Sequence, residues 1–211
     1  MTWRNVQYDN PGPSARATAA DEAIQILRSR IDLAGLPALT RAVTEQIICA
    51  SADVGYAADL VCSEDCLQAA VAALAAGAPV IADSPMVAAG ITDRETICKA
   101  GQPLTTRLAR TAGIPPAAAA VRLALGETGY GAIWVVGSES VAIYEIVRRE
   151  AQPALVIGMP AGFAGAADAK RALRESGLPA VTNIGEKGGP AVAAAACMAL
   201  LREALAPSGG T

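Results

Sequence analysis

Ala132-Ile-Trp-Val-Val136 is an unbroken apolar run, and Gly137-Ser-Glu-Ser140 follows it at once. Without polar alternation the run reads as a strand buried on both faces. The glycine and serines open the next helix, whose last turn carries Arg148 and Arg149, where cations suit the helix dipole. The same unit recurs downstream. Ala154-Leu-Val-Ile157 precedes Gly158-Met-Pro-Ala-Gly-Phe-Ala-Gly165 and a helix reaching about Ser176. Ala180-Val-Thr-Asn-Ile184 precedes Gly185-Glu-Lys-Gly-Gly-Pro190 and a helix over 191–205. Strand, loop and helix three times over require a parallel sheet with right-handed crossovers. The expected fold is α/β: a single domain with a mostly parallel sheet flanked by helices.

Upstream, Pro79-Val-Ile-Ala-Asp83 is another short buried strand, ending in an acid. Residues 86–91 suit a turn or short helix, 96–98 a further strand, and 104–112 a helix that Gly113 ends. Pro115 and Pro116 fit the first turn of a helix to about Leu125. Ser63-Glu-Asp is a capping signal for an alanine-rich helix to Ala76. Helical spacing also covers 39–52, with Val43, Ile47 and Ile48, and 17–33, with Ile24, Leu27 and Ile31 on one face. Residues 1–16, rich in Pro, Gly and Asn, read as an irregular arm, and 206–211 as a flexible tail. The domain then spans 17–205.

Of the 211 residues 53% are hydrophobic, 18% are charged and 3% are aromatic, so alanine replaces bulk and elements should pack closely. The alanine-rich surface points to an oligomer. A net charge of -3 and the lack of a basic stripe argue against nucleic acid. The longest apolar stretch, 71–91, is broken by Gly77, Pro79, Asp83, Pro85 and Gly90 and is not a membrane span. No leader segment is visible at Met1 to Asp9, so the expected location is cytoplasmic. There is no histidine at all, and the five cysteines form neither a disulfide framework nor a metal-ligand set.

Ligands of open α/β sheets bind beyond the carboxyl ends of the strands. The candidate site therefore collects four loops. They carry Asp83 and Met86; Ser138 and Glu139; Met159, Gly162 and Phe163; and Lys187, Gly188 and Gly189. Glycine-rich helix starts with a lysine beside them suit a substrate bearing several carboxylates. A second feature lies on the helix at 39–52. Glu45, Cys49 and Asp53 are spaced i, i+4, i+8 and share a face if the helix persists to Asp53. A thiol between two carboxylates is held protonated, which favours a proton donor over a nucleophile. A solvated face with a stray cysteine is the plainer alternative.

Three strings carry a resemblance: Ala75-Ala-Gly-Ala-Pro-Val-Ile-Ala-Asp-Ser-Pro-Met-Val-Ala-Ala-Gly-Ile91, Ala154-Leu-Val-Ile-Gly-Met-Pro-Ala-Gly-Phe-Ala-Gly-Ala-Ala-Asp-Ala-Lys170, and Lys187-Gly-Gly-Pro-Ala-Val-Ala-Ala-Ala-Ala196. They resemble precorrin-8X methylmutase, also met as cobalt-precorrin-8 methylmutase, over about 8–201. The resemblance implies a flavodoxin-like fold, a homodimer with its site near the interface, and no cofactor. It implies an isomerase of cobalamin biosynthesis that moves a methyl group from C11 to C12 of a tetrapyrrole by an acid-assisted shift.

The departures from that pattern are specific. The family's acid is a histidine in a string like Ile-His-Ala; here the string is Ile48-Cys49-Ala50. The family's Thr-Arg-Ser before an alanine run is Pro115-Pro116-Ala117, its Gly-Asn-Ala-Pro-Thr-Ala loop is Gly137-Ser-Glu-Ser-Val-Ala142, and its Arg-Arg-Gly-Gly is Glu186-Lys187-Gly188-Gly189. Three readings follow. The first is a methylmutase with Cys49 as the acid. The second is a repurposed member acting on a different small acidic substrate, with Cys49 as nucleophile and Glu45 or Asp53 as base. The third is a protein that binds a tetrapyrrole without turnover.

Overall fold

The computed structural model of the chain describes residues 13–206, with side chains described from Asp21 onward. Most of the arm and nearly all of the tail expected from composition lie outside the described residues. The elements run α1 (Pro13–Arg30), α2 (Ala38–Ser51), α3 (Tyr56–Asp59), β1 (Leu60–Val61), α4 (Glu64–Ala75), β2 (Val80–Ala82), α5 (Pro85–Gly90) and β3 (Thr96–Cys98). They continue α6 (Pro103–Ala112), α7 (Pro116–Thr128), β4 (Ile133–Val136), α8 (Ser140–Arg148), β5 (Leu155–Gly158), α9 (Ala166–Glu175), β6 (Ala180–Asn183) and α10 (Pro190–Leu205).

The six strands form one sheet in the order β1-β6-β5-β4-β2-β3. The pairs from β3 through β6 are parallel, and β1 alone runs antiparallel, beside β6. Counted by themselves, the five parallel strands follow the flavodoxin order, which reverses between β2 and β4. That reversal opens the crevice where such folds bind ligands.

Both faces of the sheet are covered, which is why its strands read as continuous apolar runs. Alternation sends Ile133 and Val135 to one face and Trp134 and Val136 to the other. The first face packs with Val43 and Ile47 of α2, Leu67 and Leu74 of α4, and Ala193, Cys197 and Leu200 of α10. The second meets Val121 and Ala124 of α7, Ile143 and Ile146 of α8, and Leu173 of α9. Small side chains let these layers approach closely. A Cβ on Gly137 would stand 2.8 Å from Pro190 Cα, so the chain leaving β4 can pass the start of α10 only through a glycine.

Local signals set several helix starts. Ser63 Oγ accepts from Cys66 N at 3.3 Å, capping α4. α2 has no cap of its own, and Glu64 supplies one from the start of α4, accepting from Leu39 N and Thr40 N at 2.9 Å each.

Two expectations need correction. α1 begins at Pro13, a residue tolerated in a first helical turn, and ends at Arg30, so it is shifted from the 17–33 reading. The second concerns α2, which stops at Ser51 because Ala52 adopts a left-handed conformation, φ 56. Asp53 therefore lies past the helix and does not extend the Glu45–Cys49 face. The segment 53–62, unassigned by periodicity, holds α3 and the reversed strand β1.

Candidate active site

At the switch point, Asp83 follows β2 and bridges to the loop after β4. Its Oδ2 accepts from the backbone N–H groups of Ser138 and Glu139, both at 2.8 Å. The Ser84 and Ser138 hydroxyls meet at 2.7 Å. Burial pushes the Asp83 carboxyl above the ordinary carboxylate range, outweighing the amides that favour its ionised form. Beside it opens a pocket of about 290 Å³ lined by Asp83, Thr105, Pro115, Pro116, Ala117 and Glu139, among others. The prolines follow directly from the Pro115-Pro116 string.

The loops after β5 and β6 are tied together. Gly162 N donates to Glu186 O at 2.9 Å, and Gly189 N donates to Met159 O at 2.8 Å. A Cβ on Gly188 would lie 2.3 Å from Met159 O, so that close approach demands glycine. The Met159 side chain is fully buried in the core, so it cannot face a ligand. Phe163, in contrast, is 99% exposed, and Met86, beyond β2, is 68% exposed.

Lys187 does not stand free. Its Nζ donates to Asp53 Oδ2 at 2.9 Å, pairs with Asp59 Oδ2 at 2.6 Å, and sits 4.4 Å from the Tyr56 ring centroid. Burial pulls the Lys187 ammonium down, but Asp59 and Asp53 carry it above the usual lysine value. The hydrogen bond from Lys187, helped by Gly55 N–H, in turn holds Asp53 below the usual carboxylate range. A buried cation underlies this loop. Lys170, fully buried on α9, donates to Asn183 Oδ1 at 3.1 Å and Lys187 O at 2.7 Å.

Cys49 is exposed on α2 and lines a groove of about 230 Å³ with Ala23, Ile26, Leu27 and Arg30 of α1 and Ala52 and Val54 beyond its own helix. Burial, and after it the charge of Glu45, raises the thiol above its ordinary value, so it is protonated at neutral pH. Glu45 is itself buried and held by Arg28, whose Nε and Nη2 donate at 2.7 and 2.9 Å. Neither carboxylate is thus a free base: Glu45 answers to Arg28 and Asp53 to Lys187.

The structure therefore brings together Asp83, Ser138 and Glu139, and joins Asp53 to Lys187. The Cys49 groove and the switch-point pocket have different lining residues. Sequence reasoning missed Arg28, Tyr56, Asp59, Lys170 and Asn183, whose roles arise from contacts 4 to 131 residues apart. A lysine inside a helix otherwise headed by small residues is the signal that could have flagged Lys170. Among the described residues, no group of three or more Cys, Asp or Glu side chains is arranged to hold a metal ion, and no helix is long and apolar enough to cross a membrane.

A family model described as precorrin-8X methylmutase matches residues 19–203. The chain is 34% identical to the precorrin-8X methylmutase of a Sinorhizobium species, covering 88% of this chain and 93% of that one. It is 33% identical to the cobalt-precorrin-8 methylmutase of Salmonella typhimurium, over 83% and 87% of the two chains. A solved structure of precorrin-8X methylmutase from Thermus thermophilus superposes with a TM-score of 0.81 at 32% identity, covering 90% of this chain and 96% of that one.

Proposed function

From the premise that the chain belongs to the precorrin-8X methylmutase family, a family of isomerases of cobalamin biosynthesis, we propose that it moves a methyl group from C11 to C12 of a corrin precursor, with Cys49 as the acid. Within one substrate molecule the C11–methyl bond breaks as the C12–methyl bond forms. The Sγ–H lends its proton to the ring as charge develops and recovers it afterwards, so the product is an isomer.

What supports this reading is a thiol kept protonated by burial and by Glu45 and open to a groove, in a string, Ile48-Cys49-Ala50, that resembles the family's Ile-His-Ala. The Arg28 pair positions Glu45, and Glu45 in turn disfavours thiolate. A protonated thiol without a free base beside it is poorly suited to nucleophilic attack, which favours the isomerase over the repurposed reading. The loops carrying Ser138, Glu139, Gly162, Lys187, Gly188 and Gly189 would receive the substrate's carboxylates, Lys187 exchanging an internal carboxylate for one of the ligand. Glu139 would repel an anion unless it turns away. The chemistry needs no cofactor, and the enzyme works in the cytoplasm as a homodimer, in which Phe163 and Met86 would find cover.

The test is direct: incubate the protein with precorrin-8X and follow its absorption spectrum. Conversion is expected, slowed at least about 100-fold by Cys49→Ala, in the range typical for a lost acid. Equal rates in wild type and Cys49→Ala would remove the thiol from the mechanism, and a stable spectral shift without product would favour a binding protein. Sedimentation at micromolar concentration checks the dimer.

A further inference from the structure

Among the described residues, two buried side-chain polar atoms have no hydrogen-bond partner: Asp83 Oδ1 and Trp134 Nε1. One can only accept when ionised, and the other can only donate. Both residues line the same small cavity, about 10 Å³ in volume. The sheet register puts them there. Ile81 and Trp134 are partners across β2 and β4, and Asp83 lies two residues beyond Ile81. The period of two then sends both side chains to the face covered by α7. That helix offers Ala117, Ala120 and Ala124 at the contact, and side chains this short leave a gap.

The rest of the wall is apolar except for Lys99, whose ammonium is engaged by Glu127. A cavity of about 10 Å³ is near the smallest that holds a water molecule, and such a water needs at least two polar partners. The occupant must accept from the indole N–H and donate to the carboxylate. A cation cannot accept and an anion cannot donate. We infer that this cavity is a binding site for one small neutral molecule that does both, a water, linking Trp134 to Asp83.

The link reaches the candidate site. The second oxygen of Asp83 holds the Ser138 and Glu139 amides, and Glu139 lines the 290 Å³ pocket. Trp134 is thus a positioning residue that acts through the water and Asp83 on the wall of that pocket. The other ionisable or polar groups about Asp83 are Cys98 on β3, Lys99, Ser84, Ser138 and Glu139.

The experiment uses the folded, ¹⁵N-labelled full chain. Trp3→Phe assigns the two indole resonances, since Trp3 is the other tryptophan. In wild type, the Trp134 Nε1–H is expected to show a cross-peak to a long-lived water, and its resonance to follow Asp83 as pH falls from 7 to 3. Asp83→Asn, which keeps an acceptor, should retain the water signal and abolish the titration. Trp134→Phe should speed amide exchange at Ser138 and Glu139 about tenfold, the effect of one lost hydrogen-bonded link. Absence of the water cross-peak, or an indole resonance constant over that pH range, would overturn the assignment. Unchanged amide exchange in a folded Trp134→Phe would overturn the positioning role. The wild-type measurements stand even if that variant fails to fold. None of the readouts involves turnover, so failure of the isomerase reading leaves this one intact.

Discussion

Replacing Lys170 by methionine separates two opposing effects by pH. The ammonium is fully buried, and burial pulls it from 10.5 down to about 8 in the folded protein. Between those two pH values the unfolded chain holds a proton that the folded one has released, so rising pH favours the folded state. The gap from 10.5 to about 8 corresponds to about 3 kcal/mol. At pH 7 the wild type carries that cost in full. Lys170→Met removes it, but leaves Asn183 Oδ1 without its donor, at a cost of about 1–3 kcal/mol. Lys187 O keeps the Asn183 Nδ2 bond at 2.9 Å. The two effects nearly cancel at pH 7, where stability should change by no more than about 2 kcal/mol. Between pH 7 and 10.5 the wild type should gain about 3 kcal/mol on the variant. Urea unfolding at half-unit pH steps, in reductant, measures this as long as the m-value stays constant. Cysteines and tyrosines titrate in both proteins and drop out of the difference. Parallel stability curves for the two proteins would refute the account of Lys170 as a buried cation held at a cost.

Burial alone would raise Glu145, yet Arg149, Arg122 and Arg148 bring it down to about 2. Its contribution is complete above pH 4.5 and lost as pH falls towards 2. With allowance for the exposure of Arg148 and Arg149, Glu145→Gln should remove about 2 kcal/mol at pH 7 and flatten the acid-unfolding curve. Gly188→Ala places a Cβ against the Met159 carbonyl at φ +155, and should cost at least about 2 kcal/mol in urea unfolding. Ser63→Ala removes the α4 cap and should lower stability by about 1 kcal/mol, seen as a lower urea midpoint.

The parallel half of the fold was legible because a strand covered on both faces shows itself as an apolar run, as in Ala132–Val136. Glycine and proline marked the helix starts after β4, β5 and β6. The reversed strand β1 was not legible: two residues, Leu60 and Val61, carry no periodicity, and their pairing with Thr182 and Asn183 is a tertiary fact. The stripe of Glu45, Cys49 and Asp53 failed at one backbone angle, that of Ala52, which no spacing rule foresees in a non-glycine residue. Asp83 was visible as an acid ending a strand. Its partners Ser138 and Glu139 could be named only as neighbours in the same loop cluster. The partners of Lys187, Asp53 and Asp59, lie over a hundred residues away in the chain, so local sequence shows only a lysine beside a glycine-rich helix start.

The sheet ends in β1, two residues long, on one side and in β3, three residues long, on the other. Such stubs offer few backbone donors and acceptors to template an added strand, so the described residues disfavour joining two copies by extending the sheet from one molecule into the next. Association is left to helix surfaces and to the loops at the carboxyl ends of the strands. A partner that docks on those loops would roof over the crevice proposed for the substrate, and the strength of pairing and the occupancy of the crevice would then rise and fall together.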